Sequence, residues 1–285
     1  MSMHRPCVIT LLTDFGNQDA YAGVMKGVIT GINPQANIID ICHNVPPQDV
    51  FNAAYLIYTS YKYFPKGTIH IAVVDPGVGS ERDIVCVKTN DYTFLAPDNG
   101  ILGFIIEEEK PKVIVRLTND KYFLPSISNT FHGRDVFAPV AAHLSLGVKP
   151  QQLGVKINQL KQLDIPKPSF KETGQLEGEI IYIDRFGNLI TNITKKHLMQ
   201  FINKKSEARS RKFKTSAQQK YSTCDTMEIT VWEKKITRLG RTYMDVKRGE
   251  PLALIGSAGF LEISINQGNA QKYFKVKIGN KIHVG

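Results

Sequence analysis

The chain has 285 residues, 42% of them apolar and 22% charged, which suits a soluble globular protein of one large or two ordinary domains. No run approaches the ~20 apolar residues of a membrane span, and the first apolar run, Val8 to Leu12, is too short for a signal-peptide core, so a cytoplasmic protein without a membrane partner is expected. Cys7, Cys42, Cys86 and Cys224 form no Cys-x-x-Cys pair, which excludes a zinc knuckle and a disulfide framework. The net charge of +10 is local: residues 195–248 hold 15 Lys/Arg against 5 Asp/Glu, and the remainder holds 21 of each.

Short apolar runs alternate with helical patterns over the first ~150 residues, the mark of a layered α/β sheet. Val8 to Leu12 reads as a strand that stops at Thr13-Asp14-Phe15-Gly16; Tyr21 to Ile32 reads as a helix, Asn37 to Ile41 as a strand and Val50 to Tyr61 as a helix. Thr68 to Val74 is the most strand-like run and stops at Asp75-Pro76-Gly77-Val78-Gly79. Ile84 to Val87, Thr93 to Leu95 and Lys112 to Leu117 follow as strands, then Asp135 to Leu146 as a helix. Val148 to Thr173, with Pro166-Lys167-Pro168, reads as an interdomain linker and places a domain boundary at 165/166.

Past the boundary, Gly178 to Ile183, Leu189 to Ile193, Met227 to Val231, Pro251 to Ile255, Leu261 to Ile265 and Phe274 to Ile278 are short strands between turn residues. They predict a smaller all-β, barrel-like C-terminal domain over 166–285. A basic loop at about 203–222 interrupts it, densest from Lys204 to Lys220. Without interleaved aromatics this stretch reads as a mobile surface loop, and a nucleic-acid partner is not expected.

Ligands of open α/β sheets bind beyond the carboxyl ends of the strands, so Asp14 and Asp75 stand out, each either a turn or cap residue or a carboxylate facing a ligand. Arg82, seven residues after Asp75, can pair with it and keep it ionised in a dry site. His132, between Phe131 and Gly133 and beside a helix start, is a candidate acid or base, whereas Asp135 can simply cap that helix. Walker A, Gly-x-Gly-x-x-Gly, Gly-x-Ser-x-Gly and His-Glu-x-x-His motifs are absent, which argues against nucleoside triphosphatases, dinucleotide oxidoreductases, serine hydrolases and zincins.

Six segments in order, TDFGNQDAYAGVMKGVI (13–29), VVDPGVGSER (73–82), LAPDNGIL (95–102), TFHGRDVFAPVAAHL (130–144), IDRFGNLITNI (183–193) and GEPLALIGSAGFLEISINQGNA (249–270), resemble the S-adenosyl-L-methionine hydrolases, or hydroxide adenosyltransferases, relatives of the fluorinases and chlorinases. The resemblance implies hydrolysis of S-adenosyl-L-methionine to adenosine and methionine, with water or hydroxide attacking the ribose 5′ carbon. It implies Asp75, Arg82 and His132 as the catalytic set and Asp14 on the ribose hydroxyls. Asp184 and Asn188 are implied at the methionine amino group and adenine, Ser257 at the methionine carboxylate, and Tyr243, Asn269 and Ala270 around the adenine. It further implies a homotrimer with active sites at subunit interfaces, and neither cofactor nor metal. Where the fluorinase has an Arg after the corresponding Ser, this chain has Ala258.

Three alternatives follow from the same residues: a chlorinase-like halogenase, a metal-dependent phosphoesterase built on Asp14, Asp19, Asp75, His43 and His132, and a nucleic-acid binder using the basic segment.

Overall fold

The apolar runs of the first half become one seven-stranded sheet, because strands covered on both faces need side chains that are apolar almost throughout. The computed structural model describes residues 7–212, 227–237 and 239–285. They divide into a unit ending at Ile165 and a unit starting at Pro166.

The first unit runs β1 (Val8–Thr13), α1 (Tyr21–Ile32), β2 (Asn37–Cys42), α2 (Val50–Ser60), β3 (Ile69–Val73), β4 (Ile84–Lys88), β5 (Thr93–Pro97), α3 (Gly103–Glu108), β6 (Val113–Leu117), α4 (Ala138–Ser145) and β7 (Gly154–Ile157). The sheet order is β2-β1-β3-β5-β4-β6-β7, with β2, β1, β3 and β5 parallel and β4, β6 and β7 joined antiparallel. One face buries Ile9, Leu11, Ile69 and Ile71 against Met25 and Ile29 of α1 and Val140 and Ala141 of α4. Two elements depart from the sequence reading. Helix α3 was not expected, and β7 lies inside the stretch read as linker. As an edge strand, β7 needs one paired edge and a single anchor, the fully buried Leu153, so half-exposed Val155 leaves no alternating pattern to read.

The opposite face holds an aromatic cluster around His70, which is fully buried, bonds Thr10 Oγ1 through Nδ1 at 2.7 Å and stacks on Phe94 at 5.1 Å. Burial pushes its pKa down to about 3. The unfolded chain regains an ordinary imidazole that binds a proton below about pH 6.5, while the folded state stays neutral. Stability contributed by this group is therefore whole above pH 6.5 and lost toward pH 3, at up to about 1.4 kcal/mol per unit. Urea unfolding at pH 7 and pH 5 is expected to show the wild type losing about 2 kcal/mol more than His70→Phe between the two conditions; equal losses would remove His70 from the acid response.

The second unit runs β8 (Ser169–Phe170), β9 (Leu176–Ile183), β10 (Leu189–Thr194), α5 (Lys195–Lys212), β11 (Ile229–Val231), β12 (Lys234–Ile236), β13 (Leu239–Gly240), β14 (Pro251–Ile255), β15 (Phe260–Ile265), α6 (Ala270–Phe274) and β16 (Lys281–Val284). Its nine-stranded sheet follows the path β12-β11-β16-β9-β10-β15-β14-β13, with β8 on β9. Helices α5 and α6 correct the all-β expectation. Residues 204–212 of the expected basic loop belong to α5, and 213–222 lie outside the described residues.

Helix α5 starts on a reciprocal cap, His197 N donating to Thr194 Oγ1 at 3.3 Å and Thr194 N to His197 Nδ1 at 3.1 Å. Leu198 and Phe201 anchor its first turns in the core, and the Lys, Arg, Glu and Ala that follow are good helix formers. The strand expected at Phe274 to Ile278 is also absent. Phe274 closes α6, Lys275 at φ +55° ends it, and Phe274 and Val276 reach the core two residues apart, which imitates a strand.

Cys86 is buried, Cys7 and Cys42 are partly so, and Cys224 lies outside the described residues. Among the described residues no helix is long and apolar enough to cross a membrane.

Candidate active site

The register of β1 against β3 pairs Thr13 with Val73, so Asp14 and Asp75 leave the carboxyl ends of two adjacent parallel strands. Each is then held by a turn. Asp14 Oδ2 accepts the backbone N–H of Gln48 at 2.8 Å, with Gln48 itself at φ +65°. Beneath it, Phe15 N donates to Thr13 Oγ1, which bonds His43 Nδ1 at 2.8 Å, and Gly16 N donates to the His43 carbonyl at 2.7 Å. Asn99, from the LAPDNGIL segment, donates to the carbonyl of Val74 at 2.8 Å and steadies the backbone beside Asp75.

Arg82 grips Asp75 with a two-pronged fork, Nε to Oδ1 at 2.5 Å and Nη2 to Oδ2, while its Nη1 donates to the Asp83 carbonyl at 3.1 Å. The Asp75 and Arg82 side chains are 5% and 12% exposed, so the pair sits in a largely dry environment. His132 Nδ1 lies 3.5 Å from Arg82 Nη2, at the outer limit of a hydrogen bond. A guanidinium can only donate, so Nδ1 is the acceptor and the neutral imidazole carries its proton on Nε2. Burial and the Arg82 cation hold the His132 pKa below the ordinary value, against opposing pulls from Asp75 and Asp135, which favours that neutral form.

Two local devices bring His132 to the pair. Gly79 has φ +79°, and the carbonyl oxygen of Asn129 lies 2.4 Å from where its Cβ would stand, so the 75–82 loop packs directly on the loop that leads to His132. The second is Asp135, fully buried, which accepts from Ser128 N and Oγ at 2.8 Å and from Arg134 Nε at 2.6 Å. Burial raises the Asp135 pKa, but the Arg134 and Ser128 donors outweigh it and the net displacement is downward. Asp135 thus closes the loop rather than capping the helix.

Asp75 and His132 line a cleft of about 290 Å³ together with Asp14, Phe15, Gln48 and Phe131. That is the small end of ligand clefts. Phe131 packs edge-to-face on Phe15 and on half-exposed Tyr21 beside it, and Phe15 lies tilted against Tyr21, with centroids 5.1–5.7 Å apart. Sequence reasoning missed Gln48, whose contribution is a backbone N–H that no residue type announces, and the clamp made by Asp135. Of the five residues of the phosphoesterase alternative, Asp14, Asp75 and His132 line the cleft, whereas exposed Asp19 and His43, buried with Nε2 3.0 Å from Asp40, do not. Among the described residues no three His, Cys, Asp or Glu are grouped to hold a metal ion.

The other six expected residues lie in the second unit. Asp184 closes its own turn, Oδ1 accepting from Phe186 N and Asn188 N, and Oδ2 from Asn188 Nδ2 at 2.9 Å. Gly187, at φ +84°, lets this turn press onto Asn269, whose Nδ2 lies 2.1 Å from the position of a Cβ. Asn269 caps α6, which begins at fully buried Ala270. The Tyr243 hydroxyl donates to Glu262 Oε1 at 2.7 Å; burial, Glu262 and Asp184 together push its pKa up to about 12. Ser257 is exposed on the tight turn between β14 and β15.

Family models of the SAM hydroxide adenosyltransferase N-terminal and C-terminal domains match residues 9–154 and 178–283. A relative from Thermus thermophilus named (R)-S-adenosyl-L-methionine hydrolase is 33% identical, covering 97% of this chain and 98% of its own. One of the same name from Methanocaldococcus jannaschii is 34% identical over 97% and 95%. The crystal structure of an uncharacterized conserved protein from Thermotoga maritima superposes with a TM-score of 0.85 at 36% identity, covering 97% of this chain and 99% of that one. With both domain models matched in order, the chain belongs to the SAM hydroxide adenosyltransferase family.

Proposed function

We propose that this protein hydrolyses S-adenosyl-L-methionine to adenosine and L-methionine, water or hydroxide attacking the ribose 5′ carbon and methionine leaving as a neutral thioether. The observation that carries the reading is the Asp75–Arg82–His132 cluster, of which Asp75 and His132 line one cleft with Asp14. The names of the relatives support it.

A sulfonium leaving group needs no acid, and hydroxide meeting a cation cancels charge, so a dry cleft favours the step. What the protein supplies is aim and a place for the proton of water. A side-on guanidinium fork uses the inner lone pairs of the Asp75 carboxylate and leaves the outer ones for a water. His132, neutral and protonated at Nε2, offers an N–H to that water or to the substrate. Asp14 takes the ribose hydroxyls, Asp184 the methionine amino group, Asn188, Tyr243, Asn269 and Ala270 the adenine side, and Ser257 the methionine carboxylate. The reading assigns no cofactor or metal, a cytoplasmic location, domains over 1–165 and 166–285, and a homotrimer whose sites join one subunit's N-terminal domain to the next subunit's C-terminal domain.

A halide nucleophile is disfavoured at this cluster. Two unit charges about 4 Å apart repel by about 4 kcal/mol at an effective dielectric near 20, before the offset from Arg82. Incubation with each sulfonium epimer of S-adenosyl-L-methionine, with and without chloride, is expected to yield adenosine in both cases. A 5′-chlorinated nucleoside would establish the halogenase instead, and loss of activity in EDTA the metal-dependent alternative.

A further inference from the structure

The parallel pairing of β2 on β1 slips by one residue just before the cleft: Leu11 pairs with Asp40, but Leu12 pairs with Cys42. Such a bulge re-aims the residues that follow it. Here it brings His43 level with Thr13, the residue before Asp14. His43 is buried, lines no part of the cleft and takes no part in the chemistry proposed above. It nevertheless grips the turn that carries Asp14 at two points. Its carbonyl accepts the N–H of Gly16 at 2.7 Å, and its Nδ1 meets Thr13 Oγ1 at 2.8 Å. Nε2 faces Asp40 Oδ1 at 3.0 Å, and Asp40 Oδ2 accepts from Lys26 Nζ at 2.6 Å. Burial raises the Asp40 pKa, but Lys26 and His43 outweigh it and the net displacement is downward, so Nε2 faces a carboxylate and carries the ring proton. In that neutral ring Nδ1 is an acceptor: the Thr13 hydroxyl donates to it, and Thr13 Oγ1 keeps a lone pair for the N–H of Phe15 at 3.2 Å. A directed chain thus runs from the Phe15 amide through Thr13 and His43 to Asp40, and Asp14 is the residue between its first two members. The same β2–α2 connection returns at Gln48, whose N–H holds Asp14 Oδ2. Gln48 does so at φ +65°, a conformation that a residue with a side chain keeps only under constraint, and His43 anchors the other end of that connection.

We infer that His43 is a positioning residue: its Nδ1 locks the Thr13-Asp14-Phe15 turn and thereby fixes the Asp14 carboxylate in the orientation that accepts two neighbouring hydroxyls. That these are the ribose 2′ and 3′ hydroxyls of the substrate rests on the function proposed above. A carboxylate meets both hydroxyls of a diol in one orientation only, so a turn free to rock loses one contact while keeping the other within reach. His43 acts through Asp14 and touches neither the substrate nor the bond that breaks.

The test compares S-adenosyl-L-methionine with its counterpart lacking the ribose 2′-hydroxyl, in the wild type, in His43→Phe and in His43→Asn. The wild type is expected to favour the full ribose by at least about tenfold in kcat/KM. A wild type indifferent to the 2′-hydroxyl overturns the inference. His43→Phe keeps a ring of similar size but removes the acceptor. In it the KM for S-adenosyl-L-methionine is expected to rise about tenfold with kcat within a few-fold, the KM for the deoxy compound to rise much less, and the preference to fall to about threefold or below. His43→Asn returns an acceptor one bond from Cγ, where Nδ1 stands, and is expected to restore most of the preference. A purely structural role would slow both substrates alike and leave the preference intact, and that outcome overturns the inference, as does an Asn variant no better than the Phe variant. If His43→Phe does not fold, Thr13→Val, which exchanges one buried hydroxyl for a methyl, carries the same expectation, and an unchanged preference there overturns the inference. If the wild type releases no adenosine, the proposed function falls, and calorimetric Kd values for adenosine and 2′-deoxyadenosine decide on His43 separately: the same ratio in wild type and His43→Phe overturns it.

Discussion

Asp75→Ala is expected to lower kcat for adenosine release by at least about 100-fold while the affinity for S-adenosyl-L-methionine changes by no more than a few-fold. The cleft keeps Asp14, Phe15, Gln48 and Phe131, none of which depends on Asp75 for its position, so substrate recognition on this side survives. What disappears is the acceptor that aligns water, together with the partner of Arg82. A guanidinium 12% exposed and without its carboxylate reorients, taking the contact with His132 Nδ1 with it. Asp75→Asn preserves shape but presents an amide N–H to a guanidinium that can only donate, so it is expected to be nearly as slow. Single-turnover product formation together with calorimetric binding separates the two effects. Turnover within a few-fold of wild type in both variants would remove Asp75 from the chemistry.

Gly79→Ala is the second large effect, and it acts without touching a charged group. An L-residue at φ +79° costs about 1–2 kcal/mol, and its Cβ would stand 2.4 Å from a backbone carbonyl that cannot turn away, so the 75–82 and 129–132 loops must separate. The expected result is a kcat loss of at least about tenfold and a Tm lowered by roughly 5–10 °C, from a few kcal/mol of strain. Gly77→Ala is the control on the same loop. A Cβ there meets Ser80 Oγ at 3.4 Å and the Arg82 side chain at 3.6 Å, ordinary contacts, and activity near wild type is expected. Equal behaviour of the two variants would show that the packing of these loops does not hold the cluster together.

Much of the first unit was legible because its central strands β1, β3 and β5 are buried on both faces and its helices carry an apolar face, so period and length locate them; α1 is found where Ala22, Met25 and Ile29 recur at helical spacing. The second unit was harder to read. Leu198 and Phe201 mark α5 only once Thr194 is known to cap it; in the first unit β7 was hidden for a similar reason, its anchor Leu153 being fully buried while Val155 is half exposed. The Asp, Arg and His of the cleft could be listed from the motifs, but their meeting depends on an Asn129 carbonyl against Gly79 and a Gln48 N–H on Asp14, contacts between segments about 30 to 50 residues apart, and on the loop closure made by the buried Asp135.

The sequence by itself determined the α/β order of the first half, the position of Asp14 and Asp75 after strands, and the family, since these depend on local period and on residues close together in the chain. Only the tertiary structure decided that Arg82 forks Asp75 and faces Nδ1 of His132, that Gln48 holds Asp14, and that His43 meets Thr13. Hydrogen bonds and close approaches between distant segments are set by how packed layers register on one another, and that register has no signature in any single window of sequence.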